Sequence, residues 1–297
     1  MSANIQNESA AVEAAIKLPT GQYVDLKGRG KMFYRECPKR NNKPTVLLIH
    51  GMLASSGLNW YQVFGPLNEH FNVVAVDLRG HGRSMRRQNC RFTLAKCVDD
   101  IAAFIDHQKL QDTLVVGYSM GGAIAQHLAR KYPDKIGGLV LSGTGCGYRV
   151  GLRERAIIGP LFASLVGMTR LSEAFSRMPN KVIAALFPGV KVDEYMSIRQ
   201  WVADELRRNK LRVFVEAASE MANHRSKRWL SELTAPTTVL VTLRDSTFSA
   251  AHQIEMALQI PDAEIMRFDG GHNAPSTEDF GHALTDACLG VANRRVA

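Results

Sequence analysis

No apolar run in this 297-residue chain approaches the roughly 18 residues needed to span a bilayer. Residues 1–17 lack both a basic region and an apolar stretch, so no secretory signal is expected. The five cysteines (Cys37, Cys90, Cys97, Cys146 and Cys288) are scattered and odd in number, and they show no metal-ligand spacing. Reduced thiols in a cytoplasmic protein without a metal site are the expectation. Internal repeats and low-complexity segments are also missing, which removes solenoid and fibrous architectures.

What is present is ordinary for a large globular domain: 45% hydrophobic and 22% charged residues. The formal net charge of +9 raises the question of nucleic acid. The charges are dispersed, however, and cluster only at residues 83–87 and 207–212. No aromatic interleaving or nucleic-acid module accompanies them, so a solvated basic face is expected and no nucleic-acid partner. Such a face remains compatible with anionic substrates or peripheral contact at a membrane surface.

One stretch organises the rest. Leu114-Val115-Val116 runs into Gly117-Tyr118-Ser119-Met120-Gly121-Gly122, and helix-forming residues follow to Lys131. Strand, sharp turn and helix form the context in which Gly-x-Ser-x-Gly exposes a nucleophilic serine. The turn strains the serine backbone, and residues two positions away must lack bulk. The Met120 N–H then stands at a helix N-terminus, where it can stabilise a developing oxyanion.

Around this stretch the chain alternates strand and helix. Residues 1–20 read as a mobile polar tail. Residues 23–26 and 31–35 flank Gly28-Arg29-Gly30 as an antiparallel hairpin. Residues 45–49 and 71–76 are apolar runs of the kind buried on both faces of a parallel sheet. The first ends in His50-Gly51-Met52, a loop able to offer a second N–H, with His50 read as structural. The second ends in Asp77-Leu78-Arg79-Gly80-His81-Gly82-Arg83-Ser84, read as a turn knitted by local hydrogen bonds. Residues 59–68 read as a short helix interrupted at Gly65-Pro66, and 94–107 as an amphipathic one. Residues 136–142 give another buried strand. From 146 to 232 no strand pair is legible, and helix formers are punctuated by Pro160, Pro179 and Pro188. This segment holds 15 Lys and Arg against nine Asp and Glu. It reads as a helical lid inserted into a core made of residues 21–145 and 233–297. Strands return at 237–242 and 263–268, with helices at 250–258 and 277–292.

A serine hydroxyl needs a base within hydrogen-bond reach and a carboxylate to orient that base. Residues just beyond the carboxyl ends of parallel strands converge on one edge. Ser119, Asp245 and His272 each hold such a position, in that order, whereas His107 and His127 fall within helices and His70 precedes a strand.

With His50-Gly51-Met52, Asp77 to Ser84, Gly117 to Gly122 and Gly271-His272 in place, the chain resembles the α/β-hydrolase superfamily over about residues 20–295. The resemblance implies a mostly parallel sheet with helices on both faces and a helical lid. It implies Ser119 as nucleophile, His272 as base, Asp245 as acid, and Met52 and Met120 as oxyanion-hole N–H donors. No cofactor is implied. Two features depart from the family pattern. Thr242 stands three residues before Asp245, where Gly is usual, and no Pro follows closely; Asp269 is therefore held as an alternative acid.

The expected activity is hydrolysis of an ester of a small or medium apolar acyl group through an acyl-enzyme. Phe162, Phe175 and Phe187 are the expected acyl-pocket residues. A thioesterase, a C–C bond hydrolase of ring-cleavage products and a non-catalytic ligand-binding protein of the same fold remain as alternatives.

Overall fold

The computed structural model describes residues 13–39, 42–85, 91–147 and 196–295. Phe162, Phe175 and Phe187 lie outside the described residues, as does the first half of the expected lid.

Eight strands form one sheet: β1 Gly21–Leu26, β2 Gly30–Glu36, β3 Thr45–Ile49, β4 Asn72–Val76, β5 Thr113–Tyr118, β6 Ile136–Ser142, β7 Thr237–Thr242 and β8 Glu264–Phe268. Their order is β1-β2-β4-β3-β5-β6-β7-β8. The β1–β2 hairpin and the β2–β4 pair are antiparallel, and the other pairs are parallel. Described helices are α1 Ser56–Trp60, α2 Phe64–Asn68, α3 Leu94–His107, α4 Met120–Lys131, α5 Met196–Arg207, α6 Leu211–Asn223, α7 Ala250–Ala257 and α8 Glu278–Arg294.

The continuous apolar strands are explained by burial on both sheet faces. Successive side chains alternate sides. Leu47, Ile49, Val115, Leu139 and Val241 join one core with the apolar stripes of α3 and α4. Val46, Leu48, Leu114, Val116 and Leu240 join the other, with Trp60, Phe64, Phe280 and Leu284 from α1, α2 and α8. Each such side chain stabilises the fold by about 1.5–3 kcal/mol relative to exposure.

Two local readings change. The expected helix over 59–68 is two short helices: α1, capped by the Ser55 hydroxyl, which accepts the Leu58 N–H, and α2. Pro66 falls in the first turn of α2, where its missing N–H has no intrahelical partner to lose, so it starts a helix rather than interrupting one. Residues 13–19, expected to belong to a free tail, pack on the core. Glu13 pairs with buried Arg35 at 2.9 Å, and Arg35 also donates to the Pro19 carbonyl.

The segment between β6 and β7 leaves and re-enters the core at a pinned stem. Gly147 bridges to Arg225, and the Ser226 N–H donates to the Cys146 carbonyl. Carboxylates of α6 accept N–H groups at the start of α3: Glu216 from Phe92 at 2.7 Å and Glu220 from Leu94 at 3.1 Å. Both are charge-assisted bonds at a helix N-terminus, where negative charge is favoured.

Among the described residues, no helix is long and apolar enough to cross a membrane, and no cluster of His, Cys, Asp and Glu is arranged to hold a metal.

Candidate active site

The parallel register aligns the strand ends. Gly117 faces Ile49, Tyr118 faces Ser142, and Thr242 faces Phe268. Loops carrying Gly51–Met52, Ser119, Asp245 and His272 therefore leave the sheet along one edge.

Ser119 is the single residue between β5 and α4, and it adopts φ 54°, ψ −119°. A positive φ is costly for a residue with a Cβ and persists only where the surroundings enforce it. Here the Ser119 N–H donates to the Ser142 carbonyl at 3.0 Å, and the Ser119 carbonyl accepts the Gly122 N–H at 2.9 Å. The flanking glycines are required by close approach. A Cβ on Gly117 would stand 2.6 Å from the Gly121 oxygen. A Cβ on Gly121 would collide with the Ile49 carbonyl.

The Ser119 hydroxyl lies 3.0 Å from His272 Nε2, and His272 Nδ1 lies 2.8 Å from Asp245 Oδ2. With the Nδ1 proton donated to Asp245, Nε2 is left to accept from the serine. The Asp245 carboxylate is saturated. Its Oδ1 accepts the Thr247 and Phe248 N–H groups at 2.8 and 2.9 Å, and Oδ2 also accepts the Thr242 hydroxyl at 3.0 Å. Burial works to raise its pKa, yet the hydrogen bond and charge of His272 and the two N–H groups outweigh burial and hold it below the ordinary carboxylate range.

Asp269 is elsewhere. It is exposed and paired with Arg244 at 2.8 Å. The structure thus brings Asp245, not Asp269, to the imidazole.

Thr242, noted in the sequence only as a departure from the family pattern, takes a place in the site. Its hydroxyl donates to Asp245 and accepts from Gln253 Nε2 at 2.8 Å. Tyr118 is the functional neighbour that sequence reasoning missed. Its hydroxyl donates to the His272 carbonyl at 2.8 Å, and its ring lies 5.6 Å from the imidazole. The alternation of β5 contains no signal for that contact, which joins positions 154 residues apart.

Met52 follows β3 and Met120 opens α4, so both backbone N–H groups belong to segments that border Ser119. His50 is structural, as read. Its Nδ1–H donates to the Gly51 carbonyl at 2.7 Å and its Nε2 accepts the Leu78 N–H at 3.0 Å. Burial depresses its pKa to about 4. Asp77 accepts the Ser56 and Arg83 N–H groups, and Arg79 pairs with buried Asp100, which makes residues 77–84 a knitted turn.

A cavity of about 520 Å³ opens over Ser119 and His272. Met52, Leu53, Leu58, Leu206 and Pro275 supply its apolar wall. That volume falls in the range of small-molecule sites.

The family described as alpha/beta hydrolase fold matches residues 44–188. Over 119 residues the chain is 37% identical to Lipase LipV of Mycobacterium tuberculosis, covering 40% of this chain and 44% of that protein. It is 36% identical over 115 residues to the dihydrolipoyllysine-residue acetyltransferase component of the acetoin cleaving system of Cupriavidus necator, covering 39% of this chain but only 29% of that protein. In three dimensions it is similar to a putative lipase of Acinetobacter baumannii, with TM-score 0.76 and 19% identity over 98% of this chain and 97% of the other. The sheet order, the elbow between β5 and α4 and the family match over residues 44–188 agree that the chain has the alpha/beta hydrolase fold.

Proposed function

We propose that the protein is a serine hydrolase that cleaves an ester of a small or medium apolar acyl group. The observation that carries the reading is the unbroken hydrogen-bond relay from Ser119 through His272 to Asp245, at 3.0 and 2.8 Å. Ser119 attacks the acyl carbon as its proton passes to Nε2. The Met52 and Met120 N–H groups receive the oxyanion, and Asp245 stabilises the imidazolium that forms. The alkoxide leaves with the proton from Nε2. Water, deprotonated by the same nitrogen, then releases the acid and restores Ser119.

Support for the acyl side comes from the cavity wall, which is largely aliphatic next to Ser119. Leu206 of α5 contributes to it, which supports reading residues 146–232 as a lid over the site. The lipase relatives support ester chemistry. The test is turnover on aryl esters of graded chain length beside acyl-CoA thioesters and vinylogous diketones. The reading predicts the highest kcat/KM on an ester, lost by roughly 10⁴-fold in Ser119→Ala. A preference for the thioester or the diketone would replace the substrate class. Undiminished ester turnover in Ser119→Ala would remove the mechanism.

A further inference from the structure

The loop from Gly51 to Ser55 is fixed from two sides. Its upstream end is held by the core: the Gly51 N–H donates to Asn59 Oδ1 at 3.1 Å, and the Gly51 carbonyl accepts from His50. Its downstream end is held by the insert. The Leu53 carbonyl accepts Asn209 Nδ2 at 2.8 Å, and the Ser55 hydroxyl donates to Glu205 Oε2 at 2.6 Å. Between these anchors Leu53 sits at φ 62°. A bulky residue in that region is strained and needs partners that over-determine it.

The two anchoring side chains are themselves immobilised. Glu205 is fully buried, and it also pairs with Arg83 at 2.7 Å and Arg208 at 3.1 Å. Asn209 is 5% exposed. Its Oδ1 accepts the Gly82 N–H at 3.3 Å, which fixes the orientation of the amide and aims Nδ2 at the loop. Apolar contact reinforces the seat. Trp201, Val202 and Leu206 of α5 pack with Leu58, Leu53 and Tyr61.

We infer that Asn209 and Glu205 are positioning residues for the oxyanion-hole loop, so that the inserted segment sets the Met52 N–H for catalysis as well as covering the site. This inference rests on the proposed serine-hydrolase reading. Without the insert, Ser55 still caps α1 and its carbonyl still accepts the Asn59 N–H, but the Leu53 carbonyl loses Asn209, and the strained Leu53 is free to relax and carry Met52 with it. An oxyanion donor displaced by about 1 Å loses much of its value to the transition state while ground-state binding in the cavity is little changed.

Asn209→Asp keeps the oxygen that accepts the Gly82 N–H and deletes the donor to Leu53. Ser55→Ala, a second variant in the same contact set, deletes the bond to Glu205 from the loop side together with the N-cap of α1, whose cost in stability is read by the titrated fraction. Active sites are titrated with a fluorophosphonate, and kcat per titrated site and KM are measured on the best aryl ester of the panel. Inhibition by the trifluoromethyl ketone of matching chain length, which forms an oxyanion adduct, is measured beside them. The expected result is a fall in kcat per titrated site of about tenfold or more in Asn209→Asp, with KM within twofold. Ketone affinity weakens in the same proportion, and Ser55→Ala shows the same split with a smaller size. A merely structural role would lower the titrated fraction and leave kcat per site untouched. That outcome, or a loss confined to KM, overturns the positioning role and leaves the hydrolase reading intact. Absence of labelling in the unsubstituted protein overturns both.

Discussion

At the residue scale, the two aspartates near His272 separate by what surrounds each. Asp245 receives four hydrogen bonds and is 6% exposed, whereas Asp269 stands in solvent against Arg244. Asp245→Asn is expected to lower kcat by roughly 10⁴-fold at neutral pH, because an amide favours the wrong imidazole tautomer. Asp269→Asn removes only a surface ion pair, worth about 0–1 kcal/mol, and is expected to leave kcat within twofold. Parallel kinetics and thermal melts check the pair; a larger kcat loss in a folded Asp269→Asn would exchange their roles. Thr242 carries a related expectation. Thr242→Val leaves Gln253 Nε2 without this acceptor and Asp245 without one donor, so stability should fall by about 1–3 kcal/mol. Urea unfolding of Thr242→Val checks the loss, and unchanged stability would show that these two bonds contribute nothing.

At the element scale, the close approach of α4 to the end of β3 sets where Ser119 stands. Gly121→Ala places a methyl group on the Ile49 carbonyl, a backbone atom with little room to yield. The expected cost is about 3 kcal/mol or more, with loss of activity in whatever fraction folds, read by urea unfolding and active-site titration. Normal stability with normal kcat would show that α4 can shift without disturbing the serine. This scale also marks what could be read from sequence. β3 to β7 are legible as largely apolar runs because both faces of these strands are buried, and Gly117-x-Ser119-x-Gly121 announces the elbow through its steric demands. Asp245 is the acid its strand-end position points to, with Asp269 as the alternative, because only geometry tells which carboxylate faces Nδ1. The anchors of the Gly51–Ser55 loop were hidden for another reason. Glu205 to Ser55 and Asn209 to Leu53 join positions 150 and 156 residues apart. Neither local propensity nor periodicity records a polar contact of that range. Pro66 misled because proline ends a helix in its interior and starts one in its first turn.

At the scale of the whole molecule, three buried histidines tie stability to pH. Burial is the largest cause in each case, and it depresses His50 to about 4 and His81 and His224 to about 3. In the unfolded chain each titrates near 6.5. The folded values lie below the unfolded ones, so the unfolded state takes up protons first as pH falls. Stability from these groups is whole above about pH 7 and is lost progressively as pH falls from about 6.5 to about 4 for His50 and to about 3 for His81 and His224. Each such histidine costs about 1.4 kcal/mol per pH unit inside that window. Urea unfolding at pH 7.5 and 5 is expected to show a marked loss. His224→Gln, which removes one of the three groups, should make the loss smaller. An equal loss in the variant would remove His224 from this account.

The central claim, that Ser119 carries the acyl group between two half-reactions, is tested most directly by trapping it. The protein is mixed with an aryl ester that deacylates slowly, quenched within the pre-steady-state burst, and examined by intact and peptide mass spectrometry. The account predicts one acyl adduct per molecule on the peptide containing Ser119, and no burst in Ser119→Ala or His272→Ala. Steady hydrolysis with no adduct, or an adduct on any other residue, would contradict it.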